Sequence, residues 1–453
     1  MSIGKKIRFF RKKKNISQSD LAINICSVSY LSKIENDQVV ANPEIIEKLI
    51  ARLQINLEIH VDTQKLLSML TNWNRNIINH KRLAADKTYK RLEMTIKATN
   101  DPFHILKFKI LELHYLIFIE DYERASLQIT DLNQYEDLLE GELKFYFYKI
   151  KGLYLYRINH KHCAINNYCK AMEFSSSSSL QDWEKAYLYY LLSFVAHELR
   201  KDSTVIYYLQ KALSIYEKQK NTFMLTHCEF LSGLVYKRLN HYPKAKTSFL
   251  FVLNNAQTFN DVELLFQAHH YLGVVHSKQG ESREAINHFE KCLNMKDNIT
   301  SLNNKLMTIY HLVVEYNTLK APLQSLYWLE IGNELIKNSS EQQTDYEIHL
   351  KSYVFLLTGK QYTNEFKLYI RDKAIPFFKK RNQWEYVAHY ANLLAHYYQS
   401  QIKYKKAAQY FELAYKSLQE LIPNFKGFPK ELDHNVTHIE EETNVLLNKL
   451  KNN

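Results

Sequence analysis

The sequence predicts an all-α protein in which a small cluster of short helices precedes a long array of paired helices. Three observations carry that prediction. The 453 residues include only 9 glycines and 7 prolines, far below ordinary usage of roughly 7% and 5%, so turns must be short and glycine-rich hairpins between strands are disfavoured. Apolar residues in the first sixty positions recur at helical spacing between capping residues. Further on, Gly152, Ser193, Gly233, Gly273 and Val313 are separated by 41, 40, 40 and 40 residues, and a fixed period of that length marks an internal repeat.

A chain of this length outgrows a single hydrophobic core and divides into domains or stacked repeats. Hydrophobic residues, at 46%, suffice to bury a core along its whole length. The formal charge of +12 suits a polyanionic partner without identifying one, and its location says more. Lys5, Lys6, Arg8, Arg11, Lys12, Lys13 and Lys14 place seven positive charges and no acid in the first fourteen residues. Cys26, Cys163, Cys169, Cys228 and Cys292 are odd in number and show no CxxC or Cys/His spacing, which points to small buried hydrophobes in a reducing compartment. The basic N-terminus is followed by a polar stretch instead of a signal peptide's apolar segment, and no run approaches the roughly 18 apolar residues of a membrane span. The expectation is a cytoplasmic protein with no membrane partner.

Ile3, Ile7 and Phe10 fall at helical spacing, with lysines and arginines on the remaining faces, so Ile3 to Lys13 reads as an amphipathic helix that Asn15 ends. Ser17 caps a second helix from Gln18 to about Ile25, with Asp20 where a capping-box acid would stand and Leu21, Ala22 and Ile25 buried. Ser27 caps a third helix, Val28 to Glu35, whose Leu31 and Ile34 point inward. That leaves Val28, Ser29, Ser32, Lys33 and Asn36 as one outward face. Asn42 and Pro43 begin a fourth helix, with Ile45, Ile46, Leu49, Ile50 and Leu53 on its buried side. Two short helices around a tight turn, the second presenting small polar side chains, have the geometry of a helix-turn-helix.

At this point a resemblance becomes specific. The run "SQSDLAINICSVSYLSKIEN" (17–36) resembles the Cro/repressor (XRE) type of helix-turn-helix, in the variant with "ICSVSYLSKIE" found in NprR- and PlcR-type regulators. Its turn is one residue shorter than in phage repressors and carries Cys26 where they usually have glycine. The resemblance implies that Gln18 lies over a phosphate, its backbone N–H adding to the contact, while Val28, Ser29, Ser32 and Lys33 face base edges in the major groove of operator DNA. Lys33 would reach guanine O6 or N7, and the Val28 methyls a thymine methyl. Asn36 lies on the same face, and Lys5, Lys6 and Lys13 are assigned to the DNA interface as well. Tyr30 either packs under the helix or reaches a phosphate. Arg11 and Glu35 match the positions of a structural ion pair.

In the repeats, the clearest copies are "LSGLVYKRLNHYPKAKTSFLFVL" and "YLGVVHSKQGESREAINHFEKCL". Each has a glycine, a small residue twelve later, an aromatic sixteen later and a smaller apolar residue nineteen later. These are Gly233, Ala245, Phe249 and Val252, then Gly273, Ala285, Phe289 and Cys292. The pattern resembles that of tetratricopeptide (TPR) repeats, which lets two antiparallel helices approach closely. The usual TPR period is about 34 residues, so a 40-residue spacing implies longer helices or loops. Weaker copies surround Trp73, Leu113, Val313 and Ala395, and the copy near Tyr353 is degenerate. The predicted organisation is a helix-turn-helix domain over 1–56, a linker over 57–66 and a repeat domain over 67–453. The repeat domain holds about nine helix pairs, is broken at "IPNFKGFP" and closes on a capping helix from about Leu432 to Leu450. "SSSSS" at 175–179 reads as a loop.

TPR-like pairs stack into a right-handed α-solenoid with a concave groove suited to extended peptides. Positions six and three before, and one and four after, the glycine-equivalent residue should face that groove. They give Tyr187, Tyr190 and His197, then His227 and Lys237, then Gln267 and His270. Tyr310 and Asn317 follow, and then His389, Asn392, His396 and Gln399. Long amides can hydrogen-bond a ligand's backbone, and Lys237 can meet a carboxylate. The nineteen histidines include no HExxH and no Cys/His cluster, so neither a metal nor another cofactor is predicted.

A DNA reader ahead of a peptide-sized groove resembles the RNPP group of bacterial peptide-responsive regulators. The resemblance implies a transcriptional regulator for quorum sensing, a homodimer or higher oligomer, whose DNA binding and assembly change when a short linear signalling peptide enters the groove. Two alternatives stay open: a Rap-like protein that binds and inhibits or dephosphorylates a response regulator, and a peptide-independent phage or plasmid repressor. No nucleophile with a base, phosphate-binding glycine loop or paired acids points to an enzyme.

Overall fold

The computed structural model describes residues 1–55, 62–176, 180–295, 301–339 and 344–421, and all regular structure among them is helical. "IPNFKGFP", the predicted capping helix and residues 57–61 of the predicted linker lie outside the described residues. The chain forms two compact units, Met1–Ala196 and His197 onward.

The first unit opens with α1 (Ile3–Lys13), α2 (Gln18–Ala22), α3 (Val28–Glu35) and α4 (Pro43–Arg52). Each begins where a side chain can accept an orphan backbone N–H. Ser17 accepts from the Asp20 N–H, Ser27 from Tyr30 and Asn42 from Glu44. Helix α1 ends before Asn15, whose φ of 53° cannot continue a helix. Helix α2 stops at Ala22, three residues short of the predicted end, because Asn24 turns to φ 58°. On α4 only Leu49, with Leu53 just beyond it, is fully buried; Ile45, Ile46 and Ile50 are half-buried.

Helix α5 (Thr63–Ile78) starts inside the predicted linker, because Asp62 caps it through the Lys65 N–H. The unit continues with α6 (Arg82–Lys97), α7 (Pro102–Phe118), α8 (Tyr122–Asn133), a 3-10 turn over Glu136–Leu138, α9 (Glu142–Arg157), α10 (Lys161–Glu173) and α11 (Asp182–Glu198), which runs across the unit boundary. The second unit holds α12 (Asp202–Lys218), α13 (Thr222–Arg238), α14 (Tyr242–Ala256), α15 (Val262–Lys278), α16 (Ser282–Leu293), α17 (Leu302–Thr318), α18 (Pro322–Lys337), α19 (Asp345–Leu357), α20 (Asn364–Tyr369), α21 (Ile375–Lys380), α22 (Trp384–Ser400) and α23 (Tyr404–Gln419). Helices of up to 17 residues, such as α13 and α15, account for the long period.

The repeat pattern is a packing device. A Cβ at Gly152, Gly233 or Gly273 would lie 2.6, 2.6 or 2.5 Å from the ring of Tyr168, Phe249 or Phe289, the aromatic sixteen residues on. Removing the Cβ lets the second helix press its ring against the first helix's backbone. Where Val313 replaces the glycine, the residue sixteen on is Leu329, and the fully buried Ser325 hydroxyl donates to the Val313 carbonyl at 2.8 Å. The degenerate copy is the one whose second helix is broken, into α20 and α21 around a π-turn at Ile370–Ala374. Pro376 lies in the first turn of α21, and a π-turn is one way to absorb a proline inside a helix.

First helices of the pairs end on left-handed residues, and these are seldom glycine. His80, Glu120, Asn159, Arg200, Asn240, Lys320 and Ile402 all have φ between 53° and 66°, against Gly280 and Gly359.

Candidate DNA-reading helix and candidate ligand groove

Helix α3 is fixed from beneath. Arg11 of α1 donates twice to the buried Glu35, Nε to Oε1 at 2.6 Å and Nη2 to Oε2 at 2.7 Å. Gly4 lets α1 cross α3 closely, since a Cβ there would lie 1.9 Å from the Ile34 carbonyl oxygen. The opposite face of α3 is open: Val28, Ser29, Lys33 and Asn36 are exposed and Ser32 half-buried, while Tyr30 is also half-buried. Thus the predicted outward residues do share one face. Gln18 departs from expectation, because its side-chain amide donates to Glu35 Oε2 at 2.8 Å instead of pointing outward. Asn36 is also engaged, accepting from Arg8 Nη1 at 2.9 Å.

The basic face of α1 is covered by the repeat array of the same unit. Lys5 pairs with Glu140 and lies 3.4 Å from Asp37, Arg8 pairs with Asp137, and Lys12 Nζ reaches Asp137 Oδ1 at 2.9 Å and the Gln134 carbonyl at 2.7 Å. Lys6 lies 3.9 Å from Asp101. Phe9, left out of the predicted buried set, is only 1% exposed and meets Tyr135 at a ring-centroid distance of 5.2 Å. Ile3, counted with the buried face, is 41% exposed. Contrary to the DNA-facing role the sequence predicts for Lys5 and Lys6, carboxylates more than ninety residues away hold both against the array. Lys13 makes no such pair among the described residues: it is exposed, 6.0 Å over the Phe10 ring, with Lys109 of α7 nearby. Burial and the neighbouring Lys109 and Lys14 charges lower its pKa.

The predicted groove residues fall in both units. In the first, Tyr187 and Tyr190 are half-buried and stack at 6.4 Å. Tyr187 also borders Lys149, whose fully buried Nζ has no hydrogen-bond partner and sits 4.7, 5.0 and 5.7 Å from the rings of Phe145, Tyr146 and Tyr187. Burial lowers its pKa to about 8 against the pull of Glu184.

In the second unit, His389, Asn392, His396 and Gln399 form one exposed face of α22, and Asn317 is exposed. His197, His227, Lys237, Gln267 and Tyr310 are half-buried. Gln267 donates to Glu263 at 2.9 Å, and Arg238 donates to the His197 carbonyl at 3.0 Å. His270 is a correction: it is 1% exposed and bonded to Thr308 at 3.1 Å, so it belongs to the packing between α15 and α17 and not to an open surface. Burial holds its pKa well below the ordinary histidine value. Tyr271, Tyr346 and Tyr386, which the groove frame omits, are half-buried tyrosines of the same unit. Tyr346 and Tyr386 share a side-chain hydrogen bond, and Tyr310 lies 6.0 Å from Tyr346. No group of His, Cys, Asp and Glu among the described residues could hold a metal ion, and no helix among them is long and apolar enough to cross a membrane.

A helix-turn-helix carried on TPR-like helix pairs defines a class of transcription regulators. Residues 7–59 match a helix-turn-helix family model. Over 405 residues the chain is 32% identical to the transcriptional activator NprA of Geobacillus stearothermophilus, covering 89% of this chain and all of that protein. Two solved structures share the fold of the array. The apo form of the quorum sensor NprR from B. thuringiensis matches with a TM-score of 0.67 at 18% identity, over 78% of this chain and 99% of that one. A Rap protein complexed with competence and sporulation factor matches with a TM-score of 0.63 at 17% identity, over 80% and 99%. The chain belongs to the RNPP family of bacterial transcription regulators, together with NprA.

Proposed function

We propose that the chain binds operator DNA through the open face of α3 and that a short linear signalling peptide, held in the groove of the repeat array, changes that binding and the protein's assembly. The observation that carries this reading is the seam between α1 and the array. Arg8, Lys12 and Phe9 join α1 to Asp137 and Tyr135, and Arg11 joins α1 to Glu35 of α3. A ligand that prefers one arrangement of the helix pairs over another thereby biases the position of α3, and only such a difference in affinity can act. Val28, Ser29, Ser32 and Lys33 would read bases, with Asn36 on the same face, and Lys13 of α1 would join the DNA interface. Two copies would place two such helices on half-sites about one helical turn apart.

Genome-wide mapping of bound DNA, with and without conditioned medium, tests both halves. The expected result is a defined set of fragments whose occupancy changes with the medium. No preference for any fragment would overturn the DNA reading. Unchanged occupancy would overturn the peptide reading.

A further inference from the structure

The second unit contains a cation that its surroundings leave unmatched. Lys237 of α13 is half-buried, with Nζ 4.7 Å over the Tyr271 ring. Its neighbours are mostly positive. Burial is the largest influence and lowers its pKa to about 8; Glu385 opposes that shift, while Arg238, Lys278 and Arg200 reinforce it. The nearby acids are already engaged: Glu385 accepts from Arg200 at 2.9 Å, and Asp202 pairs with Arg238. His270 and His311 also feel the Lys237 charge, and burial disfavours protonation of both. Lys237 therefore makes no ion pair or hydrogen bond among the described residues.

A half-buried cation that one acid only partly offsets is poorly solvated, and a carboxylate relieves that cost while gaining a charge-assisted hydrogen bond. The place is reachable. Glu385 lies one turn before His389 on α22, and its contact with Arg200 turns the exposed face of α22 toward the start of the unit. Tyr271, Tyr346 and Tyr386 add ring surface and hydroxyl donors. Lys149, the other unmatched lysine, offers no comparable opening because it is fully enclosed.

We infer that the Lys237 corner, with Arg200 released from Glu385, receives a carboxylate of the peptide, at its C-terminus or on an Asp or Glu side chain. The inference rests on the peptide reading above. Binding would exchange the Arg200–Glu385 pair for ligand contacts and so free α22 from the beginning of the unit.

The test uses the full chain and pools of random heptapeptides, synthesised as free acids or C-terminal amides, each with and without Asp and Glu, with retained peptide measured by mass spectrometry. Pools bearing a carboxylate should be retained about tenfold better or more than the amide pool lacking Asp and Glu. Whichever carboxylate pool is preferred identifies the source. Lys237→Arg should keep the preference, and Lys237→Met should lose it while unfolding at the same or a higher temperature, since it removes a half-buried charge set among other cations. Equal retention of all pools by the wild type, or a preference that survives in Lys237→Met, overturns the Lys237 inference and leaves the peptide reading standing. Failure to retain any pool overturns the peptide reading, and this inference with it.

Discussion

Helices α1 and α3 belong to one small domain, and both present polar, basic residues away from its core. Their surroundings differ. The cations of α1 meet Asp137, Glu140 and Asp101 from the array, whereas exposed Lys33 of α3 forms no ion pair among the described residues. Seven positive charges in fourteen residues look like a nucleic-acid footprint, yet the face with fewer charges is the one left open. Positive charge points to polyanions only where the protein has not supplied its own counter-charge.

Five variants can break or sharpen that contrast. Arg11→Ala leaves the buried Glu35 carboxylate with the Gln18 amide but no cation, and losing one partner of a buried pair typically costs about 3–5 kcal/mol. Thermal unfolding of the helix-turn-helix should show that loss, with operator binding abolished; unchanged unfolding would mean that α1 does not anchor α3. Gly4→Ala forces α1 away from the Ile34 carbonyl and should destabilise the domain by about 1–3 kcal/mol, as overpacking does. Both disturb the support and leave the reading face intact.

Three variants with smaller effects compare the faces directly. Lys33→Ala should weaken operator binding about tenfold or more in a mobility-shift titration, with a much smaller loss on unrelated DNA. Lys5→Gln with Lys6→Gln should leave the slope of log affinity against log salt unchanged, and a flatter slope would return these lysines to the interface. Conversely, Asp137→Asn with Glu140→Gln should steepen the slope by about 1 for each cation that reaches phosphate. Exposed ion pairs of this kind contribute little stability, about 0–1 kcal/mol, so unfolding should barely move.

Much of the architecture is legible in the chain because its signals are local. Ser17, Ser27 and Asn42 stand within three residues of the N–H groups they cap. Gly152, Gly233 and Gly273 announce the rings sixteen residues later, and the Arg11–Glu35 pair follows from the helix-turn-helix pattern. What escaped depends on distant partners. Lys5 and Lys6 find acids in a segment whose approach no periodicity encodes. Phe9 did carry a readable signal, since Ile7, Phe9 and Phe10 cannot all face one core, and it implies a second buried surface on α1. His270 fits the groove frame by number, but the rotation of α15 carries it under Thr308. Tyr346 and Tyr386 sit near the starts of their helices, outside a frame counted from the middle.

The left-handed ends of the helix pairs have a further consequence. Asparagine tolerates that backbone region and glycine prefers it, but a β-branched residue such as Ile402, at φ 59° and 74% exposed, holds it at a cost of about 1–2 kcal/mol. The scarcity of glycine thus leaves thermal tolerance unclaimed at these corners. Ile402→Gly should raise the melting point while leaving α3 and the exposed face of α22 unchanged, giving a hardier form of the protein for study.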